Sequence, residues 1–192
     1  GPRDPEDGTS ARLRNLAASR GDAHAAPEDI EQFAYDDRFV GFMLDPATDG
    51  VPGEAVLEAL ESAGLPVLVR AGRACGPETL ARTLLPVDVP IVVAHFGGYP
   101  LDRDLMDRTI ALLDDHDELY LNTSAVRFRD PLERALRKHP DRVLFGSGAP
   151  DAHPNVAIMQ VLTLDVSEDK MRRAFSKNAD RLLGDALDVR LE

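Results

Sequence analysis

Two short apolar runs in this chain stop abruptly at residues able to do chemistry. VPIVVAHFGG (89–98) breaks at His95, and RVLFGSGAP (142–150) breaks at Ser147. In parallel α/β proteins the carboxyl ends of strands carry the reacting groups, so both residues fall where a site belongs. An imidazole there can act as acid or base near neutral pH. Arg70 closes another apolar run and can bind a carboxylate or phosphate bidentately. Pairing with a neighbouring acid is the competing reading, and the acidic composition favours it. Asn122, Thr123 and Ser124 end a further run and can hydrogen-bond a ligand or cap the following turn. Asp151 and His153 lie just past the second signature. They can pair with His95 in acid/base work or reach a metal, although a solvated prolyl loop is the simpler account of PDAHP (150–154). His116 and His139 sit in charged helix-end segments and read as surface residues.

The elements that must position these groups alternate from Phe39 onward. Buried strands are predicted at Phe39–Leu44, Pro66–Val69, Ile91–Ala94, Leu119–Leu121 and Val143–Phe145. They are rich in Val, Ile and Leu without strict alternation, as strands covered on both faces are. Between them, helical spacing marks Glu54–Ser62 with Gly64 as its C-cap, Pro77–Leu85, and Asp102–Asp114. Asp130-Pro131 reads as an N-cap followed by a first-turn proline, and Ser167 as the cap of one last long helix. Ser10–Arg20 and Pro27–Ala34 can be helical, and Gly1–Gly8 reads as loop. Repeated strand–helix units leave an open doubly wound sheet or part of a (β/α)8 barrel. No GxGxxG or GxxxxGK[ST] fingerprint supports the former, and a whole barrel needs about 250 residues.

Composition narrows the function classes. With 34 acidic and 22 basic residues the net charge is −12, which argues against nucleic acid or an anionic membrane as the main partner. Abundant aspartate and scarce lysine suit a hydrated surface in high salt, though acidity also serves solubility alone. The lone Cys75 cannot form an internal disulfide, so a reducing cytoplasm is the natural compartment. A helix starting just after it would lower its pKa and make it reactive; an inert loop cysteine is the blander reading. No signal-peptide pattern is visible, and no apolar run approaches the roughly 20 residues of a membrane span.

Six segments, RFVGFMLDP (38–46), GLPVLVRAG (64–72), VPIVVAHFGG (89–98), ELYLNTSA (118–125), RVLFGSGAP (142–150) and NADRLLG (178–184), together resemble the amidohydrolase-related hydrolases. This branch of the metal-dependent amidohydrolases includes aminocarboxymuconate-semialdehyde decarboxylase and related aromatic-acid decarboxylases. The resemblance spans residues 35 to 185 in family order. It implies a (β/α)8 barrel whose fourth to eighth strands and closing helix lie here, with the first three strands and their paired-histidine metal motif outside this chain. His24 faintly matches that motif, but the second histidine falls on Ala26. His95 matches the family's catalytic histidine. The metal-binding histidine of the fifth strand falls on Arg70, and the metal-binding aspartate falls on Gly148.

A catalytic zinc needs about three ligands drawn from His, Asp, Glu or Cys. Glycine offers none, and a guanidinium repels a divalent cation. The sequence therefore predicts an α/β fold of partial TIM-barrel type, with residues 1–35 as lead-in and 36–192 as the partial barrel. The leading functional expectation is an ancestral metal-dependent hydrolase or non-oxidative decarboxylase of a small carboxylate or amide, its zinc or manganese site degraded. In it His95 and Asp151 do acid/base work, and Arg70, Asn122 and Ser147 contact substrate. His95, Asp151 and His153 are the weak candidates for metal. The alternative is a catalytically silent binding or scaffold subunit. Open barrel edges call for a second copy or a partner subunit.

Overall fold

A computed structural model of the chain describes residues 26–36 and 39–188. The predicted segment Ser10–Arg20, the Gly1–Gly8 loop and His24 lie outside them. The elements run α1 (Pro27–Ala34), β1 (Phe42–Leu44), α2 (Pro46–Asp49), α3 (Glu54–Ala63), β2 (Val67–Val69), α4 (Pro77–Thr83), β3 (Ile91–Val93), α5 (Arg103–Leu112), β4 (Leu119–Asn122), α6 (Arg129–Lys138), β5 (Val143–Leu144), α7 (Pro154–Leu162), α8 (Glu168–Arg172) and α9 (Asn178–Asp188). All five strands are parallel and pair in sequence order, β1-β2-β3-β4-β5. A doubly wound sheet would reverse its order at a switch point. Unbroken order with one helical layer is instead the arrangement of part of a barrel.

Strand alternation explains the layering. Val67, Val69, Ile91, Val93, Leu119, Leu121 and Val143 point to one face, where they form a continuous core with helix residues such as Leu60, Leu80, Met106, Ile110 and Leu132. Ile30 of α1 joins the same core. Leu68, Val92, Tyr120 and Leu144 point to the other face, and Ala179 and Leu182 of α9 pack against them. In a whole barrel that inner volume is filled by side chains of eight strands; here α9 fills part of it.

Several local expectations are corrected. The strands are shorter than the apolar runs; Phe39 is fully buried but precedes β1. Helix α6 begins at Arg129 after Phe128, so Asp130 is in its first turn and is not its cap. Pro131 is still tolerated, because no first-turn N–H has an intrahelical acceptor. The last helix runs from Glu168 behind Ser167 as expected, but it carries a π turn inside it. Phe145 N–H donates to the Ala174 carbonyl at 2.7 Å, and around it the backbone widens into a π turn over Arg173–Lys177. Asn178 then ties α9 to β5 by donating to the carbonyls of Pro140 and Val143, both at 2.8 Å. Helix α7 was not foreseen: His153 caps it, its Nδ1 accepting from Asn155 N–H at 3.2 Å, and Pro154 occupies its first position. Gly64 does end α3 as expected.

Cys75 is fully buried, and burial pushes its thiol up to about 11. The thiolate is the nucleophile, so this position is inert. His116 and His139 are half-buried, and His139 Nε2 lies 3.1 Å from Asp114 Oδ1. Arg134, Arg137 and Lys138 are solvated and ion-paired with Asp107, Asp165 and Asp114. Such exposed pairs contribute little each.

Stability should follow this division of faces. Leu121→Ala, at a fully buried β4 position, should cost about 2–5 kcal/mol. Leu162→Ala, half exposed on α7, should change stability by no more than about 0.5 kcal/mol. Urea unfolding of the two variants measures the contrast; equal losses would contradict the packing described.

Candidate functional site

The carboxyl ends of the five strands present Asp45, Arg70, His95, Asn122–Ser124 and Ser147 in turn. Immediately after β3 the chain turns tightly: His95 and Phe96 have φ of 59° and 51°, in the left-handed region that non-glycine residues rarely enter. Two anchors hold this strained turn. The Phe96 side chain is fully buried, and His95 Nδ1 lies 2.8 Å from the Ser124 carbonyl oxygen. Strain kept by such anchors is characteristic of functional turns.

The carbonyl partner fixes the chemistry of the ring. A carbonyl only accepts, so Nδ1 carries the hydrogen and Nε2 of the neutral ring carries a lone pair. Ser124 Oγ also lies 3.0 Å from Nδ1. With Nδ1 protonated it is an acceptor there, so His95 does not activate Ser124 as a nucleophile. Burial is the largest influence on the titration of His95 and pulls its pKa below the ordinary 6.5. The Ser124 carbonyl opposes this, nearby Arg70 adds to it, and Asp45 and Asp151 oppose it. The balance leaves a neutral imidazole at pH 7, the form that can accept a proton.

Arg70 carries the pairing that its acidic surroundings suggested. Its Nη1 donates to Asp45 Oδ2 at 2.9 Å. Asp45 Oδ1 in turn accepts from Ala47 N–H at 3.2 Å at the start of α2. The guanidinium also lies over the Tyr99 ring, 5.3 Å from its centroid, and the His95 ring is 5.1 Å from the same ring. Tyr99 reaches this position because its backbone bridges to Gly72. A Cβ on Gly72 would stand 2.6 Å from the Tyr99 carbonyl oxygen, so only glycine permits this approach.

The remaining candidates divide. Asn122 is half-buried, and its Oδ1 accepts from Ser124 N–H at 2.8 Å. Thr123 Oγ1 accepts from Gly146 N–H at 3.0 Å and ties β4 to the loop after β5. Ser147 is half-buried and accepts from Ala149 N–H at 3.2 Å. Asp151 is exposed, yet its carboxylate acts on His95. His153 is exposed and committed to capping α7. Gly148 has φ of 72°, a conformation that strains any side chain. Among the described residues no three His, Cys, Asp or Glu side chains gather as a metal-ion group. Sequence reasoning missed Asp45 and Tyr99. Asp45 had the same signal as His95, a polar residue at the break of an apolar run (FMLDP), and Tyr99 follows the HFGG turn.

The depressed pKa of His95 has a consequence for stability. As pH falls through 6.5 the unfolded chain takes up a proton that the folded ring still refuses, so stability falls until the lower, folded pKa is passed. His139 is shifted in the same direction, again mainly by burial, so the two must be separated. Between about pH 7 and about pH 5 the protein should lose more stability than its His95→Asn variant. Denaturant titrations across that range check it, and parallel curves would refute the buried neutral imidazole.

A family model described as Amidohydrolase matches residues 6–184. No curated protein matches the chain in sequence. Among solved structures, an uncharacterised TIM-barrel protein from Bordetella bronchiseptica is similar with a TM-score of 0.72 and 22% identity over 93% of this chain and 73% of that one. A 2,6-dihydroxybenzoate decarboxylase from Rhizobium gives 0.62 and 15%, over 83% and 67%. A 5-carboxyvanillate decarboxylase from Sphingomonas paucimobilis gives 0.60 and 18%, over 83% and 63%. At these identities the structures speak to the fold alone, and they agree with a partial TIM barrel. The family match covers nearly the whole chain: this protein belongs to the amidohydrolase family.

Proposed function

We propose that this chain handles a small carboxylate- or amide-bearing molecule at the strand ends, with His95 as acid/base and without the metal of the family's ancestral reaction. The observation that carries the reading is the His95–Ser124 hydrogen bond, which commits Nδ1 and leaves Nε2 with a lone pair. A base so placed can take a proton from water attacking an amide carbonyl, or hold and return a proton at a carbon losing a carboxylate. Arg70 supplies positive charge beside it, Asp151 tunes it, and Asn122 and Ser147 contact the substrate. Two structurally similar proteins carry the names of decarboxylases, of 2,6-dihydroxybenzoate and 5-carboxyvanillate, so the proposal keeps the decarboxylation variant beside the amide one.

Among the described residues, those at the strand ends do not fit a mononuclear metal site. Gly148 offers no ligand atom, and the fixed cation of Arg70 lies within electrostatic range of His95. His153 is occupied in capping α7.

A second reading, a catalytically silent binding or scaffold subunit, draws on the edges of the sheet. Among the described residues β1 and β5 each pair along one side only. Val156, Met159 and Leu162 expose an apolar stripe on α7. A second copy or a partner subunit covering these edges belongs to either reading. The lone buried thiol suits a reducing cytoplasm, and among the described residues no helix is long and apolar enough to cross a membrane.

Elemental analysis of protein purified without chelator tests the metal-free reading. It should find only substoichiometric zinc and manganese, unchanged in a His95→Ala variant. One equivalent of either metal, lost on that substitution, would overturn it.

A further inference from the structure

The Arg70–Asp45 pair has a consequence for what the site accepts. Asp45 is held from two sides, by Arg70 through Oδ2 and by Ala47 N–H through Oδ1. Its side chain is only 15% exposed, against 37% for Arg70. Arg70 is pinned by this contact and by the Tyr99 face, while its Nη2 and Nε have no hydrogen-bond partner among the described residues. The pair therefore offers unsatisfied N–H donors beside a carboxylate oxygen that can accept a further hydrogen bond.

We propose that Asp45 is a specificity-determining residue that makes this site prefer a neutral group with adjacent acceptor and donor, such as a carboxamide or lactam, over a carboxylate. The amide carbonyl accepts from the free N–H groups of Arg70, and the amide N–H donates to Asp45. A carboxylate also satisfies Arg70, but it sets its own negative charge against Asp45 in a partly desolvated place, and like charges at such range repel strongly. Asp151 adds a second negative charge to the surroundings of His95. With His95 neutral, the cluster of Asp45, Arg70 and Asp151 sums to one net negative charge, and the whole chain carries −12. Selection here works by rejection of the wrong charge as much as by contacts to the right group.

The inference rests on the proposed ligand site beside His95, and the test separates the two. Benzamide and benzoate, equal in size and differing in charge, are titrated against the whole chain while the ring signals of His95 are followed by NMR. The protein should bind benzamide about tenfold more tightly than benzoate. Asp45→Asn, which keeps a good helix cap and so should fold, should erase this preference by strengthening benzoate about tenfold. Arg70→Gln should abolish benzoate binding in both backgrounds. Circular dichroism verifies that each variant is folded. Preference for benzoate in the unaltered protein, or an equal change for both ligands in Asp45→Asn, overturns the role of Asp45 while leaving the site beside His95 standing. If neither ligand moves the His95 signals, the ligand site fails and this inference falls with it.

Discussion

The hydrogen bond from His95 Nδ1 to the Ser124 carbonyl is the constraint on which the strand-end cluster depends. It joins the turn after β3 to the end of β4, fixes the tautomer of the ring, and helps to keep a left-handed turn that the local sequence alone would avoid. The acceptor is itself prepared. Asn122 Oδ1 takes the Ser124 N–H, and Thr123 is tied to Gly146, so the backbone after β4 is held from both sides. None of this is possible unless β3, β4 and β5 lie side by side and parallel, as their registers show.

Around that bond the charges are arranged unlike those of a metal centre. A guanidinium anchored by Asp45 and covered by Tyr99 stands near a buried neutral imidazole. The guanidinium points its donors along fixed directions, where a metal would accept ligands from several. Reactions proposed here thus draw on positioned hydrogen bonds and a single base. The Tyr99 ring spans Arg70 and His95, so the loops after β2 and β3 act as one unit, joined by the Gly72–Tyr99 bridge.

The fold was legible because buried parallel strands announce themselves as apolar runs, and their breaks pointed to His95 and Arg70. What sequence could not supply was pairing at a distance. Asp45 and Arg70 are 25 positions apart, and only the β1–β2 register brings them together. The sequence reads Arg70 as an anion clamp or as half of an ion pair, and the geometry contains the ion pair. Helix α7 escaped notice because it is apolar all round, with Val161 buried and Val156, Met159 and Leu162 exposed, so no single stripe marks a core face. The π turn at Arg173–Lys177 coincides with a hydrogen bond from Phe145, a long-range partner no local propensity encodes. The resemblance placed the family correctly, as the match of the amidohydrolase family model to residues 6–184 shows.

The tautomer of His95 tests the account most directly. Long-range proton–nitrogen NMR of the ring at neutral pH should show Nδ1 protonated and Nε2 bearing the lone pair. A ring protonated at Nε2 alone, or a fully protonated imidazolium at that pH, would contradict the Ser124 bond as described and remove the base from the strand ends.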